Sequence, residues 1–473
     1  MAHFSSSYTS QGQVDFAFTN LTDTEAVELF GKFFYKEIKE LQYAETTVES
    51  GLDRPKGSLI HEQTPSRYLY GADFAEVNRT VVSMLALKWI LAHDYEAFTA
   101  NQHEQVRLSR DSFHHLCEFF MKRIRIREKS ENHPENQDDK DHHIDIYSLL
   151  VAVVLDDLGK VPNLSKVLEE EHDSNFTKPE LKNHSDILSE AAKKGMIPLL
   201  KTVPERRRNI IVRNMEMEGN LNISQLVQAE NVPGSIRSFM EIMDMDTETG
   251  RESLDMRAMV ALVDVAGAAA HTNANGCLVM IESVYQAYMS ALKALNELVS
   301  GNIDSERACY DQILSDRATS LESKGYYDKL STDNEEQRAL LRLFCMGRVD
   351  NSTQANIFKK AFYELPTKSR EQLINGLNVD GIDDGKAILP YYAPGLISEV
   401  LRSFHHDKKD EKSIINALSA FLRFLTRVFE GTKKQPGSRG IVIERNLAFV
   451  KGVIKSNEFR DDFSILDNVP LKW

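Results

Sequence analysis

Leu149–Val161, LLVAVVLDDLGKV, ends an apolar run in two adjacent carboxylates, Asp156 and Asp157, and follows them with Gly159 and Lys160. A carboxylate held against apolar surroundings costs several kcal/mol unless it is paired, protonated or bound to a metal. A divalent metal is the most economical partner, because carboxylate oxygens are its natural ligands. A frayed helix end with both side chains solvated is the bland alternative. Lys160 lies about one helical turn beyond the two acids, close enough to neutralise a carboxylate or to meet a phosphate. Asp264 interrupts a second apolar stretch, MRAMVALVDVAGAAAH, and His271 follows two turns later on the same face, as support for a site or as plain packing. Imidazoles are available from RDSFHHLCEFF, with His114 and His115, and from NHSDILSEAA, with His184. His142, His143 and His172 stand in polar or acidic stretches and are expected to be solvated.

These residues must be positioned by helices. AVELFGKFFYKEIKEL, VNRTVVSMLALKWILAHDYEAF and SFHHLCEFFMKRIRI all space apolar residues at three and four. The segment Asp145–Leu158 is a helix by length. Its β-branched content also suits a buried strand, but neither a glycine-rich phosphate loop nor an alternating strand–helix rhythm accompanies it. KNHSDILSEAAKKG carries a helix stop in Gly195, with lysines before it as a helix C-terminus favours. Leu254–His271 reads as a long apolar helix, and the small residues Gly267–Ala270 would let another helix approach closely. Shorter helices are expected at Asn222–Glu230 and Ile236–Met243. Glu128–His143 is hydrophilic and contains Pro134, which marks a surface loop. The basic stretch Val203–Ile211, with Arg206–Arg208, reads as a solvated turn rather than a receptor for an anion. Beyond residue 300 the helices continue between longer polar stretches. There LPYYAPGLI reads as a rigid loop, either packed or covering a pocket, and GTKKQPGSRG as a flexible surface loop.

Composition narrows the classes. A chain of 473 residues exceeds one ordinary core, so two or three domains are expected. With 42% apolar and 27% charged residues it has the make-up of a soluble globular protein. A net charge of −14 argues against nucleic acid as the main ligand, and the basic clusters Lys122–Arg127 and Arg206–Arg208 are short. The four cysteines form no CxxC pair and read as reduced, buried thiols. The Ser-rich beginning has no basic and apolar signal pattern, and no segment nears the roughly 18 apolar residues of a membrane span. A cytoplasmic protein is the expectation.

VAVVLDDLGKVP resembles the signature of the HD-domain superfamily of metal-dependent phosphohydrolases, in which an apolar helix ends in His-Asp, an apolar residue, Gly and Lys. RDSFHHLCEFF is similar to that family's first histidine helix, NHSDILSEAA to a helix carrying a further histidine, and LVDVAGAAAH to the helix of the closing aspartate. The resemblance covers about residues 105–290 and rests mainly on DLGK. It implies an all-α, HD-domain-like helical bundle with an additional α-helical C-terminal region. Residues 1–104 would form an N-terminal arm and helices packing on the core, 105–298 the HD-like domain and 299–473 a helical accessory domain. It implies a metal held by His115 (or His114), Asp157 and Asp264, with Asp156 and His184 in reach of a second ion. Asp157, Lys160 and His184 would then be the catalytic set. The departure is Asp156, which stands where the family has histidine. It makes the site harder and more anionic, favouring Mg²⁺ or Mn²⁺ over Fe; equally, it suits a degenerate site put to another use.

The expected activity is hydrolysis of a phosphorylated small molecule, with no nucleic acid and no membrane among the partners. A mixed-valent di-iron oxygenase of the same architecture would need more histidines on the apolar helices. A lyase or cyclase ionising an organic diphosphate would want a third acid that DDLGK lacks. A non-catalytic helical scaffold is the remaining alternative.

Overall fold

The computed structural model describes residues 18–45, 56–57, 59, 62–125, 144–171, 183–243, 248–405 and 411–473. The chain divides into two compact units, Met1–Gly219 with Ile242–Gln286, and Asn220–Glu241 with Ala287–Trp473. Helices dominate both, as the three-and-four spacing predicts. The expected segments 1–104, 105–298 and 299–473 do not coincide with these units. Each unit is completed by a piece of chain that returns from elsewhere, which a segment-by-segment reading cannot see.

In the first unit the site is positioned by α1 (Asp23–Phe33), α2 (Ala75–Leu91), α3 (Arg110–Met121), α4 (Ile146–Asp156), α5 (His184–Lys193), α6 (Glu205–Asn220) and α7 (Glu248–Gly267). The hub is α2, which packs on α1, α3, α4 and α7. From Val81 to Leu91 its sequence is almost wholly apolar, the pattern of a helix enclosed by others, and nearly every side chain on the helix is buried. Near its C-terminal end Lys88 Nζ and Trp89 Nε1 both donate to Asp23 Oδ1, at 2.9 and 3.0 Å.

Helix α7 is shifted from the expected Leu254–His271. It starts at Glu248 and stops at Gly267. A side chain at Gly267 would overlap Ser83 Oγ and lie 2.6 Å from the Arg79 carbonyl of α2. Glycine therefore permits the close helix approach that the small residues predict. Two-residue strands β1 (Ile124–Arg125) and β2 (Ile144–Asp145) pair in parallel just before α4. The expected loop Glu128–His143 and His172 lie outside the described residues.

The second unit comprises helices Ile223–Val227 and Pro233–Met243, most of α8 (Glu282–Val299), and then α9 (Glu306–Ser323), α10 (Glu335–Met346), α11 (Ser352–Tyr363), α12 (Thr367–Asn378), α13 (Ala393–His405) and α14 (Glu411–Val428). Two fully buried arginines on α10 tie its loops together. Arg338 pairs with Asp311 at 2.7 Å and Asp380 at 3.3 Å, while Arg342 donates to the carbonyls of Leu377 at 2.6 Å and Ala229 at 3.2 Å.

The unit also holds a parallel pair, β3 (Asp384–Leu389) and β4 (Ser438–Glu444), that apolar spacing did not announce. Ala387, Ile388 and Leu389 of β3 are buried, and Ala387 and Val442 pack with Val232 and Val379. The stretch read as a loop at 431–440 ends inside β4. The stretch LPYYAPGLI is a loop only as far as Tyr392, since α13 begins at Ala393 with Pro394 in its first turn, where a missing N–H costs no bond.

All four cysteines are buried and free. Among the described residues no helix is long and apolar enough to cross a membrane.

Candidate functional site

Helix α4 begins with Asp145, whose carboxylate accepts the Ser148 N–H at 2.8 Å and the Ser148 hydroxyl at 2.8 Å. It runs through the buried stretch LLVAVVL and ends with Asp156 as its last residue and Asp157 as its cap. A helix C-terminus carries partial negative charge and disfavours carboxylates, so both acids need counter-charges. Side chains supply them. A short 3₁₀ turn, Leu158–Lys160, folds Lys160 back so that its Nζ lies 2.5 Å from Asp157 and 3.0 Å from Glu76 of α2. Arg257 of α7 lies 3.1 Å from Asp156 and 3.1 Å from Glu218 of α6.

The cluster continues across α2. Arg79 Nη1 donates to both Glu76 oxygens, at 2.9 and 3.1 Å, and Nη2 stands 3.8 Å from Asp264 of α7. The close approach at Gly267, one turn beyond Asp264, brings α7 to this distance. His184 enters at the start of α5, where Asn183 caps the helix by accepting the Asp186 N–H at 2.9 Å. A Cβ at Gly159 would overlap the His184 carbonyl oxygen, so only glycine lets the DLGK turn meet that helix. His271 is held near the same group, its Nδ1 3.0 Å from the Ala268 carbonyl oxygen.

The acids titrate differently. Burial opposes the charge on Asp157, but Lys160 and Arg79 outweigh it and hold the carboxyl well below the usual range. Burial raises Asp156 and Arg257 only partly offsets it, while neighbouring Asp157 adds repulsion. Asp264 is pushed up to about 6 by desolvation and by the charges of Asp157 and Asp156, against the pull of Arg79. Its side chain keeps 33% of its exposure, so of these groups it is the acid that solvent reaches most. Burial and the Lys160 charge lower His184, which leaves a neutral imidazole at physiological pH.

Asp156, Asp157, Lys160, His184 and Asp264 are therefore brought together, and His115 is not. His115 is exposed on α3, its ring 6.3 Å from that of His114, which in turn lies 6.5 Å from His93. The helical period turns His115 away from the buried face that carries Leu116 and Cys117. His142, His143 and His172 are outside the described residues.

Four charged members of the cluster were missed: Glu76, Arg79, Glu218 and Arg257. The signal was present, because Glu76 and Arg79 interrupt an otherwise apolar helix three residues apart, and Arg257 precedes Asp264 by two turns on one face. Arg206–Arg208 lie in the first turn of α6 rather than in a loop, and they are half-buried and paired rather than fully solvated. Arg206 and Arg207 lie 2.7 and 3.1 Å from the buried Glu252, and Arg208 Nε donates to the Leu200 carbonyl at 2.9 Å. Arg206 and Arg207 thus tie α6 to α7, while Arg208 ties it to the preceding turn.

Among the described residues no three His, Cys, Asp or Glu side chains already converge as metal ligands. The donor chemistry nevertheless fits a divalent ion. Five carboxylates (Glu76, Asp156, Asp157, Glu218 and Asp264) face three cations (Arg79, Lys160 and Arg257), a formal sum of minus two beside a neutral imidazole.

The chain belongs to a family of unknown function (DUF6829), whose model matches residues 27–466. No curated protein and no solved structure matches it.

Proposed function

We propose that this chain is a divalent-metal-dependent hydrolase of a phosphorylated small molecule, centred on the charge cluster between α2, α4, α5 and α7. The observation that supports it is the surplus of two negative charges. The surplus falls on Asp156 and Asp264, whose carboxyls are both raised, next to a neutral His184. Such a group accepts a hard dication without displacing a protein cation. Asp156, His184 and Asp264, with Asp157 beside them, would hold Mg²⁺ or Mn²⁺. A bound ion would polarise a phosphoryl oxygen and lower the pKa of a coordinated water.

The chain's own residues supply the remainder. Lys160 and Arg79 keep Asp157 ionised, so it can orient a water by accepting its hydrogen bond. Asp264, poised near 6 and partly open to solvent, can exchange a proton at neutral pH. The resemblance of VAVVLDDLGKVP to the HD-domain phosphohydrolases points the same way.

A second reading, a scaffold with the cluster as a structural lock, is favoured by Lys160 bridging Glu76 and Asp157. Melting curves with Mg²⁺, Mn²⁺ or chelator separate the two. Metal should raise the melting temperature of wild type by mass action and leave Asp264→Asn unmoved, and a phosphate-release screen with Mn²⁺ should find turnover. A wild type indifferent to every divalent ion sinks the metal reading and leaves the lock.

A further inference from the structure

Arg257 is the most deeply held cation of the cluster, its side chain 2% exposed against 18% for Arg79 and 19% for Lys160. It stands where a metal ion would bridge two acids. Its Nη1 donates to Asp156 Oδ1 at 3.1 Å and lies 3.1 Å from Glu218 Oε2, so one nitrogen joins the end of α4 to α6. Both carboxylates are largely enclosed. Lys160 acts in the same way one residue along, its Nζ joining Asp157 to Glu76 of α2. Each of the two adjacent acids therefore shares a resident cation with a second carboxylate. Asp264 differs. Its ion-pair contact is the longer one, 3.8 Å to Arg79 Nη2, and its side chain is the most open to solvent.

Charge limits what the cluster can add. Five carboxylates against three cations leave a formal minus two, which one divalent ion brings to neutrality. A second ion would reverse the sign and leave uncompensated positive charge in a buried place, which is strongly disfavoured. Space sets the same limit. An ion between Asp156 and Glu218 needs ligand bonds of about 2.1 Å, whereas the guanidinium nitrogen stands 3.1 Å from each oxygen. Such an ion could enter only if Arg257 left and both carboxylates closed in.

Within the reading of this cluster as a metal-dependent hydrolase, on which the inference rests, we propose that Arg257 is a resident cation in the place of a second metal ion, so that the site takes a single divalent ion on its Asp264 side. The second ion that the adjacent acids suggest in the sequence has its place filled by a guanidinium from α7. A guanidinium keeps its charge at any working pH and has no open coordination position. Arg257 therefore holds Asp156 in position without activating a second water, and its role is that of a positioning residue.

Equilibrium dialysis of the chelator-treated full chain against Mn²⁺ at neutral pH, followed by metal analysis of the protein, counts the ions. Wild type should hold one ion per chain. Glu218→Gln, which keeps shape and leaves Arg257 in place, should also hold one, because Glu218 serves the arginine and not the metal. Arg257→Met, which removes the charge and keeps most of the length, should hold two, and Mn²⁺ should raise its melting temperature by more than that of wild type. Two ions in wild type, one ion in a folded Arg257→Met, or loss of the ion in Glu218→Gln would overturn the proposal and leave the hydrolase reading standing. No ion in wild type would sink that reading and this proposal with it. If Arg257→Met does not fold, the wild-type count and Glu218→Gln decide.

Discussion

Asp157 and Asp264 belong to one cluster, yet their protons behave oppositely. With Lys160 at 2.5 Å and Arg79 adding its charge, Asp157 stabilises the fold as a carboxylate. Its folded pKa lies below its unfolded value, so this contribution is present above the ordinary carboxylate range and is lost as pH falls through the folded value. Asp157→Asn should destabilise the protein by about 1–3 kcal/mol at neutral pH, because Lys160 keeps only Glu76 as an anionic partner; denaturant unfolding at pH 7 and pH 3 reads this, with the larger loss at pH 7. The adjacency of Asp156 and Asp157 alone suggests the reverse, relief of repulsion between two buried acids. The counter-charges decide otherwise.

Asp264 has a folded pKa raised to about 6, so its stabilising protonated form is present at low pH and lost as pH rises through that value. In metal-free protein, Asp264→Asn should raise the melting temperature at pH 8 and leave it unchanged near pH 4. An unchanged melting temperature at pH 8 would mean that Arg79 neutralises Asp264 fully. In the second unit Glu230 is pushed up to about 8 by burial and follows the same sign at a higher pH, so Glu230→Gln should stabilise the protein at pH 9 more than at pH 6 in thermal unfolding.

Two glycines set the distances on which the cluster depends. Gly159 lets the DLGK turn rest on the first residue of α5, and Gly267 lets α7 settle on α2 beside Ser83. Gly159→Ala meets backbone rather than a flexible side chain, so it should cost about 1–3 kcal/mol and displace His184. Urea unfolding, together with loss of any Mn²⁺-induced thermal shift, reads both effects. A variant with wild-type stability would show that α5 moves freely against the turn.

At this scale the helices were legible from apolar spacing, and so was the close contact at Gly267. The strands were not. β3 and β4 each run six or seven residues, and β4 exposes much of its surface, so neither carries the alternation that a half-buried sheet imposes on a sequence.

For the molecule as a whole, circular dichroism should report helix as the dominant structure with only a small sheet contribution. Substantial sheet content would contradict the helices found in both units. The sequence by itself determined that content, because a period of three to four in apolar residues has few outlets other than a buried helix face. It also determined that Asp156, Asp157, Lys160 and Asp264 needed company, because charged atoms beside apolar runs must find partners.

Who the partners are was decided only in three dimensions. Glu76 and Arg79 lie some 80 residues before Asp157 in the chain, and Arg257 lies 101 residues after Asp156. Periodicity reports which face of a helix is buried, not which face of another helix it meets. The same limit placed His115 in solvent and set Glu218 beside Arg257.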